Sequence, residues 1–138
     1  MTMAYVLAAL ILGGFGWWFV RQRTAAARAS WDDGVVVTDP VYAAIYAKTA
    51  DWVRTVHPEA VIAPEFRLTV RLYDHWPKGN EATQQGRILA PNVIAGDTGG
   101  TLCLARKWRR NTALIVHECK HAVTGVSDHP RWLFPEGA

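Results

Sequence analysis

The sequence predicts an α+β domain that follows an apolar N-terminal helix. Three observations support this prediction: an uncharged apolar run near the N-terminus, segments with helical spacing of apolar residues, and shorter segments with strand-like alternation. The chain has 138 residues, of which 50% are hydrophobic and 20% are charged, which fits one globular domain plus one apolar segment. We divide it into an N-terminal segment at residues 3–20, a linker at 21–38 and a domain at 39–138.

Residues 3–20 form an uninterrupted apolar run with the sequence MAYVLAALILGGFGWWFV. As a helix this run would extend roughly 27 Å, which is enough to span the hydrocarbon core of a bilayer. The aromatic residues 17–19 lie where an interfacial belt would be, and Arg21 and Arg23 follow at the position of headgroup anchors. We therefore predict a transmembrane helix, with a cleaved signal peptide and a buried core helix as the alternatives.

The arginines after this segment set the predicted orientation of the protein. Positive charge favours the cytoplasmic side of a membrane, so Arg21, Arg23 and Arg28 place the domain on the cytoplasmic (inner) side. The prediction is a single-pass membrane protein that has the lipid bilayer as a partner through residues 3–20.

Charge and cysteine content exclude few function classes. The net charge of +3 comes without a basic stripe, so no nucleic-acid partner is expected. The basic segment 106–110 is predicted to be a solvated loop, with contact to phosphate or lipid headgroups as the alternative. Cys103 and Cys119 lie in apolar segments and are predicted to be buried free thiols, although a single bridge between them stays open.

The domain begins with a predicted helix and a predicted strand. In Asp39-Pro40, the aspartate can cap a helix and the proline suits its first position. Apolar residues then recur at helical spacing until His57-Pro58 ends the helix. Glu65 to Tyr73 alternates apolar and polar residues, which is typical of a half-buried strand. Residues 74–80 contain proline and glycine and are predicted to form a loop.

A hairpin and a second helix are predicted to complete the domain. Two short apolar runs, Asn92 to Ala95 and Thr101 to Ala105, flank a glycine-rich segment and are predicted to pair as a hairpin. Asn111 can cap a helix from about Thr112 to Thr124, and Gly125 can close it. This order of elements predicts a short antiparallel or mixed sheet backed by helices.

The second helix contains the sequence His117-Glu118-Cys119-Lys120-His121. Residues four apart share one helix face, so His117 and His121 can direct two imidazole nitrogens to one metal ion. Glu118 is rotated by about 100° from His117 and can take a proton from a metal-bound water without being a ligand. Cys119 falls on the core side and is not counted as a ligand, whereas Lys120 is expected to be exposed.

Residues Ala113 to Ala122 resemble the active-site helix of zincin metallopeptidases. The resemblance implies a zincin-like domain that binds Zn²⁺, with His117 and His121 as metal ligands and Glu118 as the catalytic residue, a general base. The chain departs from the usual pattern at the two positions between Glu118 and His121, which hold cysteine and a charged lysine.

The same resemblance implies that the edge strand of a sheet binds a peptide or protein substrate. In this sequence the candidate edges are Thr101 to Ala105 and Asn92 to Ala95.

A third metal ligand is expected after the helix, because a catalytic zinc usually has three protein ligands and one water. Gly125 turns the chain, and His129 follows four residues later in a loop that Pro130 stiffens. We predict His129 as the third ligand, with Asp128 and Glu136 as alternatives.

Three functions are compatible with these observations. The favoured one is a membrane-anchored zinc metallopeptidase that hydrolyses peptide bonds with a zinc-activated water. The alternative is a structural or assembly membrane protein, for example of a membrane-containing virion, with a zincin-like fold, no turnover and a membrane-assembly partner. The third is a basic adaptor for lipid headgroups or nucleic acid. His57 and His75 are assigned surface or capping roles, with oxyanion stabilisation by His75 as an alternative.

Overall fold

A four-stranded mixed sheet is the centre of the fold. The computed structural model describes residues 16–18, 20–21, 28–62, 67–80 and 85–136. The strands are β1 (Val35–Val37), β2 (Leu68–Tyr73), β3 (Gly86–Leu89) and β4 (Gly100–Ala105). Their order across the sheet is β1-β2-β4-β3, in which β2 and β4 are parallel and both outer strands are antiparallel to their neighbours. The two shortest strands therefore form the two edges.

Two α-helices of the described chain pack on one face of this sheet: α1 (Pro40–Val56) and α2 (Thr112–Thr124). The side chains of Asp39 and Asn111 each accept a hydrogen bond from a backbone N–H in the first turn of the helix that follows. Gly125 ends α2 in the left-handed conformation, with φ 68°, which costs glycine little because it has no Cβ. The predicted starts of both helices and the predicted end of the second are confirmed.

Side chains of the strands alternate between two apolar layers. The layer under the helices contains Tyr42, Val70, Leu72, Leu102, Leu104, Leu114, Ile115 and Cys119. The opposite layer contains Tyr73, Leu89, Ile94 and Cys103, packed against Trp31 and Trp76. The two cysteines are buried free thiols, and the sheet separates them, which excludes a bridge between them.

The predicted hairpin is wrong in its first strand. Strand β4 (Gly100–Ala105) corresponds to the predicted second strand, but its antiparallel neighbour is β3 (Gly86–Leu89) and not Asn92 to Ala95. Residues Pro91–Val93 form a short 3-10 helix, and the leading proline has no N–H to donate to a strand ladder. The apolar character of this run is explained by Ile94, which is 1% exposed and anchors the loop to the core.

The predicted transmembrane helix is not found. Among the described residues, no helix combines the length and the apolar composition needed to cross a bilayer. Helix α1 has 17 residues and carries Lys48, Asp51 and Arg54. The prediction of a membrane span at residues 3–20 is therefore wrong, and so are the single-pass localisation and the inner-side orientation that depended on it. Of the predicted segments, residues 3–15, 19, 22–27 and 65–66 lie outside the described residues.

Candidate metal centre

Three imidazole nitrogens converge beside the second helix. His117 and His121 lie one turn apart in α2, and their Nε2 atoms are 3.3 Å apart. His129, in the loop after α2, places its Nε2 atom 3.2 Å from that of His117. One ligand atom from each of the three histidines lies within 4.8 Å of the others. The structure therefore brings together the three histidines that the sequence singled out.

Two of the three separations between these nitrogens fit a tetrahedral metal ion. With metal–nitrogen bonds of about 2.0–2.1 Å, two ligand atoms of a tetrahedron lie about 3.3–3.4 Å apart. The observed Nε2 separations of 3.2 and 3.3 Å are close to this value. A neutral His117 has at most one N–H at Nε2, so it can donate to only one of its two neighbours. A shared cation would satisfy all three nitrogens at once.

The turn after α2 explains how the loop reaches the helix. Gly125 reverses the chain, and the Val126 N–H then donates a hydrogen bond to Thr124 Oγ1 at 3.2 Å. The Val126 carbonyl accepts a hydrogen bond from His121 Nδ1 at 2.6 Å. Because a carbonyl can only accept, the proton of a neutral His121 lies on Nδ1 and leaves Nε2 free for a metal.

Burial keeps two of these histidines neutral. It lowers the pKa of His117 and of His121 below the ordinary value of 6.5, because a desolvated imidazolium is costly. The neighbouring imidazoles lower the pKa of both further, whereas the bond to Val126 raises that of His121. At neutral pH both rings are therefore in the neutral form that binds metals.

The side chain of Glu118, a residue of α2, lies between that helix and strand β3. The residue is 8% exposed, and burial raises the pKa of its carboxyl from 4.5 to about 7. A backbone hydrogen bond with Ile88 of β3 and the charge of Arg87 act in the opposite direction. A carboxyl with such a pKa can both accept and release a proton near neutral pH.

A cavity of about 660 Å³ opens between β3 and α2. It is lined by Gly86 to Leu89, by His117, Glu118 and His121 of the helix, and by His129 of the loop. The strand approaches the helix closely at Gly86, where an added Cβ would lie 2.9 Å from Leu114 Cδ1. The candidate ligands, the carboxyl group and the strand therefore face one common space.

Strand β3 presents backbone groups to this cavity, since it is an edge of the described sheet. Between β3 and β4, the Ala105 N–H donates to the Gln85 carbonyl at 2.9 Å. Residues that bond across an antiparallel pair alternate with residues that do not. Gly86 and Ile88 therefore direct their N–H and C=O groups away from β4, which agrees with the hydrogen bond between Ile88 and Glu118.

Both predicted substrate-binding edges are wrong. Thr101 to Ala105 lies in β4, which is buried between β2 and β3 and has no free edge. Asn92 to Ala95 lies outside the strands of the described chain. The strand next to the histidine cluster is Gly86–Leu89. The sequence analysis did not predict this strand, because Ile88 and Leu89 are its only two large apolar residues.

Phe134 packs against all three histidines and was missed by sequence reasoning. It is 1% exposed, and its ring centre lies 4.6 Å from that of His117 and 4.8 Å from those of His121 and His129. The apolar run Trp132-Leu133-Phe134 was the only signal of its burial.

Lys120 was expected to be exposed, and that expectation is wrong. The residue is 6% exposed, because the C-terminal residues fold back over its side of α2. Its Nζ atom lies 3.1 Å from Oε1 of Glu136. Nothing in the spacing of the helix indicates this contact.

The other candidate residues lie apart from the cluster. Among the described residues, neither Asp128 nor Glu136 belongs to the group that could hold a metal. His57 stacks on Trp132, with ring centres 4.5 Å apart. His75 lines a separate cavity next to the N-terminal part of the domain, which does not fit the alternative of an oxyanion-stabilising role beside β3.

Comparison with known proteins finds no matching family model, no similar curated protein and no similar solved structure. The resemblance to zincins therefore rests on the motif in α2. The structure defines the chain as an α+β domain with a three-histidine cluster in a cleft beside an edge strand.

Proposed function

We propose that this chain is a zinc-dependent metallopeptidase-like protein that hydrolyses peptide bonds. The observation that carries the proposal is the convergence of His117, His121 and His129 beside the buried carboxyl of Glu118. A histidine cluster alone is unspecific. The combination with a proton-transfer group and a strand edge in one cleft is what favours a peptidase.

His117, His121 and His129 are the residues that would hold the metal. Three imidazole nitrogens favour zinc over magnesium or calcium, which prefer oxygen ligands. When bound, zinc supplies a Lewis acid that polarises a carbonyl group and lowers the pKa of water. The chain contributes three imidazole rings, of which the two on the rigid helix α2 are neutral.

Glu118 would act as the general base and then as the general acid. Its carboxylate would accept a proton from the attacking water and pass it to the leaving amine. The raised pKa, about 7, suits this double role because both protonation states are populated near neutral pH. Its burial between α2 and β3 keeps it at the cleft.

Strand β3 would bind the substrate in an extended conformation. The outward N–H and C=O groups of Gly86 and the outward carbonyl of Ile88 would pair with the backbone of a peptide, which adds a strand to the sheet. Such pairing reads the backbone and not the side chains, so we expect a peptide or protein substrate with modest sequence preference.

A second candidate function is a protein that holds a structural metal and performs no turnover. One observation favours it: the Glu118 carboxyl is engaged with the Ile88 backbone and only 8% exposed. In that case Glu118 would tie the edge strand to the helix and not transfer protons.

Metal content and hydrolysis separate the two candidates. The purified protein is expected to contain about one zinc ion per chain, as in mononuclear zinc sites, and to cleave members of a broad peptide library. Glu118→Gln should keep the metal and lose roughly 10²- to 10⁴-fold in cleavage rate. His75→Ala, which changes a histidine in a separate cavity, is the matched control. Absence of metal would refute both candidates, whereas a metal-loaded protein without cleavage would favour the structural one.

A further inference from the structure

The side of α2 that faces away from β3 holds a buried positive charge. The Lys120 side chain is 7% exposed, and its Nζ atom lies 3.1 and 3.4 Å from the two carboxylate oxygens of Glu136. The same Nζ atom lies 4.4 Å from the ring centre of Trp52 in α1 and 5.3 Å from that of Phe134, which are cation–π distances. One cation therefore links two helices to the C-terminal residues.

Stability alone does not explain this arrangement. Burying a charged group carries a desolvation cost that an ion pair often fails to recover, and apolar replacements are frequently neutral or stabilising. The Glu136 side chain is 55% exposed, which weakens the attraction by solvent screening. The ion pair instead restricts the positions that the C-terminal residues can adopt.

The restricted residues are those that support the histidine cluster. Phe134 lies two positions before Glu136 and packs against the rings of His117, His121 and His129. A turn precedes it, in which the N–H groups of Leu133 and Phe134 donate to the Pro130 carbonyl at 3.0 and 2.8 Å. Pro130 directly follows His129, so a displacement of Phe134 is transmitted to that histidine.

Among the three histidines, His129 depends most on such support. His117 and His121 belong to a continuous helix, whereas His129 lies in an exposed loop. Its ring contacts are with the two other histidines and with Phe134. The loop is tied down on one side by the hydrogen bond between His121 and Val126 and on the other by the C-terminal residues.

We propose that Lys120, Phe134 and Glu136 form a clasp that positions His129 against the other two histidines. The inference deepens the proposed function and rests on it, since a positioned His129 matters for metal binding. Lys120 forms an ion pair with Glu136, and this pair fixes the position of the C-terminal residues around Phe134. Phe134 packs against the three imidazole rings. All three act through His129 and are positioning residues.

Metal affinity tests the clasp in two variants of the full chain. Glu136→Gln removes the negative charge from a partly exposed side chain, and Lys120→Met removes the buried positive charge while keeping an apolar stem. Both are expected to weaken Zn²⁺ and Co²⁺ binding roughly 10- to 100-fold, the range seen for residues that support metal ligands. The visible absorption of bound Co²⁺, which reports ligand geometry, should change, while the far-ultraviolet circular dichroism should not.

Asp74→Asn is the matched control. It removes the carboxylate of an exposed ion pair, Arg106–Asp74 at 2.7 Å, on a surface away from the cluster. This variant should keep the metal affinity and the Co²⁺ spectrum of the parent protein. Parental affinity and spectrum in both clasp variants would overturn the proposal.

A measurement on the metal-free protein distinguishes failure of the clasp from failure of the proposed function. Amide hydrogen exchange at Leu133 and Phe134 reports the turn that follows His129, and the His129 ring resonances report its position near Phe134. Glu136→Gln should accelerate this exchange and shift these resonances, and Asp74→Asn should do neither. If the parent protein binds no metal, the proposed function fails, and unchanged exchange and resonances in Glu136→Gln would overturn the clasp as well.

Discussion

The Nε2 atoms of His117 and His129 lie 3.2 Å apart although the two residues are twelve positions apart in the chain. One nitrogen belongs to a rigid helix and the other to the loop that follows it. The contact depends on the reversal of the chain at Gly125 and on Phe134 beneath both rings. The helical period therefore places His117 beside His121, and the chain reversal after the helix brings His129 to both of them.

Replacing His129 with alanine tests whether the loop supplies the third metal ligand. We expect His129→Ala to lose more zinc affinity than the roughly 10- to 100-fold typical of residues that only support ligands. The imidazole is exposed, so the fold should be retained. Competition with a chromophoric chelator measures the affinity, and His75→Ala, in a separate cavity, is the control. Equal affinity in His129→Ala and the parent would place the third ligand elsewhere.

The buried thiol of Cys103 predicts a loss of stability at alkaline pH. Burial raises the pKa of this thiol from the ordinary value of 9.0 to about 11, although a hydrogen bond with Tyr73 acts against the increase. Because the folded pKa is the higher one, its stabilising effect is complete below about pH 9 and is lost as the pH rises towards 11. The loss should reach roughly 2–3 kcal/mol at most.

Urea unfolding between pH 8 and 11 measures this effect, and Cys103→Ala should flatten the pH dependence relative to the parent. In the Cys119→Ala variant, Cys103 is the remaining thiol. Because Cys103 is fully buried, it should react with a thiol reagent only when the protein unfolds. Rapid reaction of the folded protein would contradict the burial of this thiol.

Gly86→Val tests the close approach of β3 to α2. The added side chain would collide with Leu114, since even a Cβ would lie 2.9 Å from its Cδ1 atom. We expect a destabilisation of about 1–3 kcal/mol, the usual cost of overpacking, and weaker binding of peptide substrates. Ala90→Val, at an exposed residue after the strand, is the control for chemical unfolding. His75→Ala, in a separate cavity, is the control for cleavage assays. Unchanged stability in Gly86→Val would contradict the close approach.

Asn111→Ala tests the cap that starts the helix of the candidate site. Its side-chain oxygen accepts a hydrogen bond from the Leu114 N–H at 3.1 Å, and loss of such a cap typically costs about 0.5–2 kcal/mol. Thermal unfolding measures the change. Thr112→Ala, at the first helical position, keeps the cap and should have a smaller effect. A cost for Thr112→Ala as large as that for Asn111→Ala would show that the cap is not the cause.

The features that sequence reasoning predicted correctly are those set by neighbours along the chain. Asp39 and Asn111 cap their helices through hydrogen bonds that span two or three residues, and Gly125 ends α2 through its own backbone freedom. The adjacency of His117 and His121 follows from one helical turn. Such relationships are local, so composition and spacing are sufficient to predict them.

Sequence reasoning failed where a residue depends on distant parts of the chain. Residues 92–95 resemble a strand because Ile94 is apolar, yet they form a loop over the core, and the actual edge strand, Gly86–Leu89, is too short to show a clear alternation. Lys120 has the character of a surface residue but is covered by residues far along the chain. The apolar run at residues 3–20 was interpreted from its length, its hydropathy and the aromatic and arginine residues at its end, all of which are local properties of the sequence.

By itself, the sequence of this protein determined two capped helices, the core side of α2 and one turn of helix that presents His117, Glu118 and His121 together. Only the tertiary structure decided which strand borders that helix, that His129 joins it, and that Lys120 is buried against Glu136. The physical reason is the distance along the chain over which each interaction acts. Helical period and capping act over a few residues, whereas burial, strand pairing and ion pairing are settled between segments that meet only when the whole chain has packed.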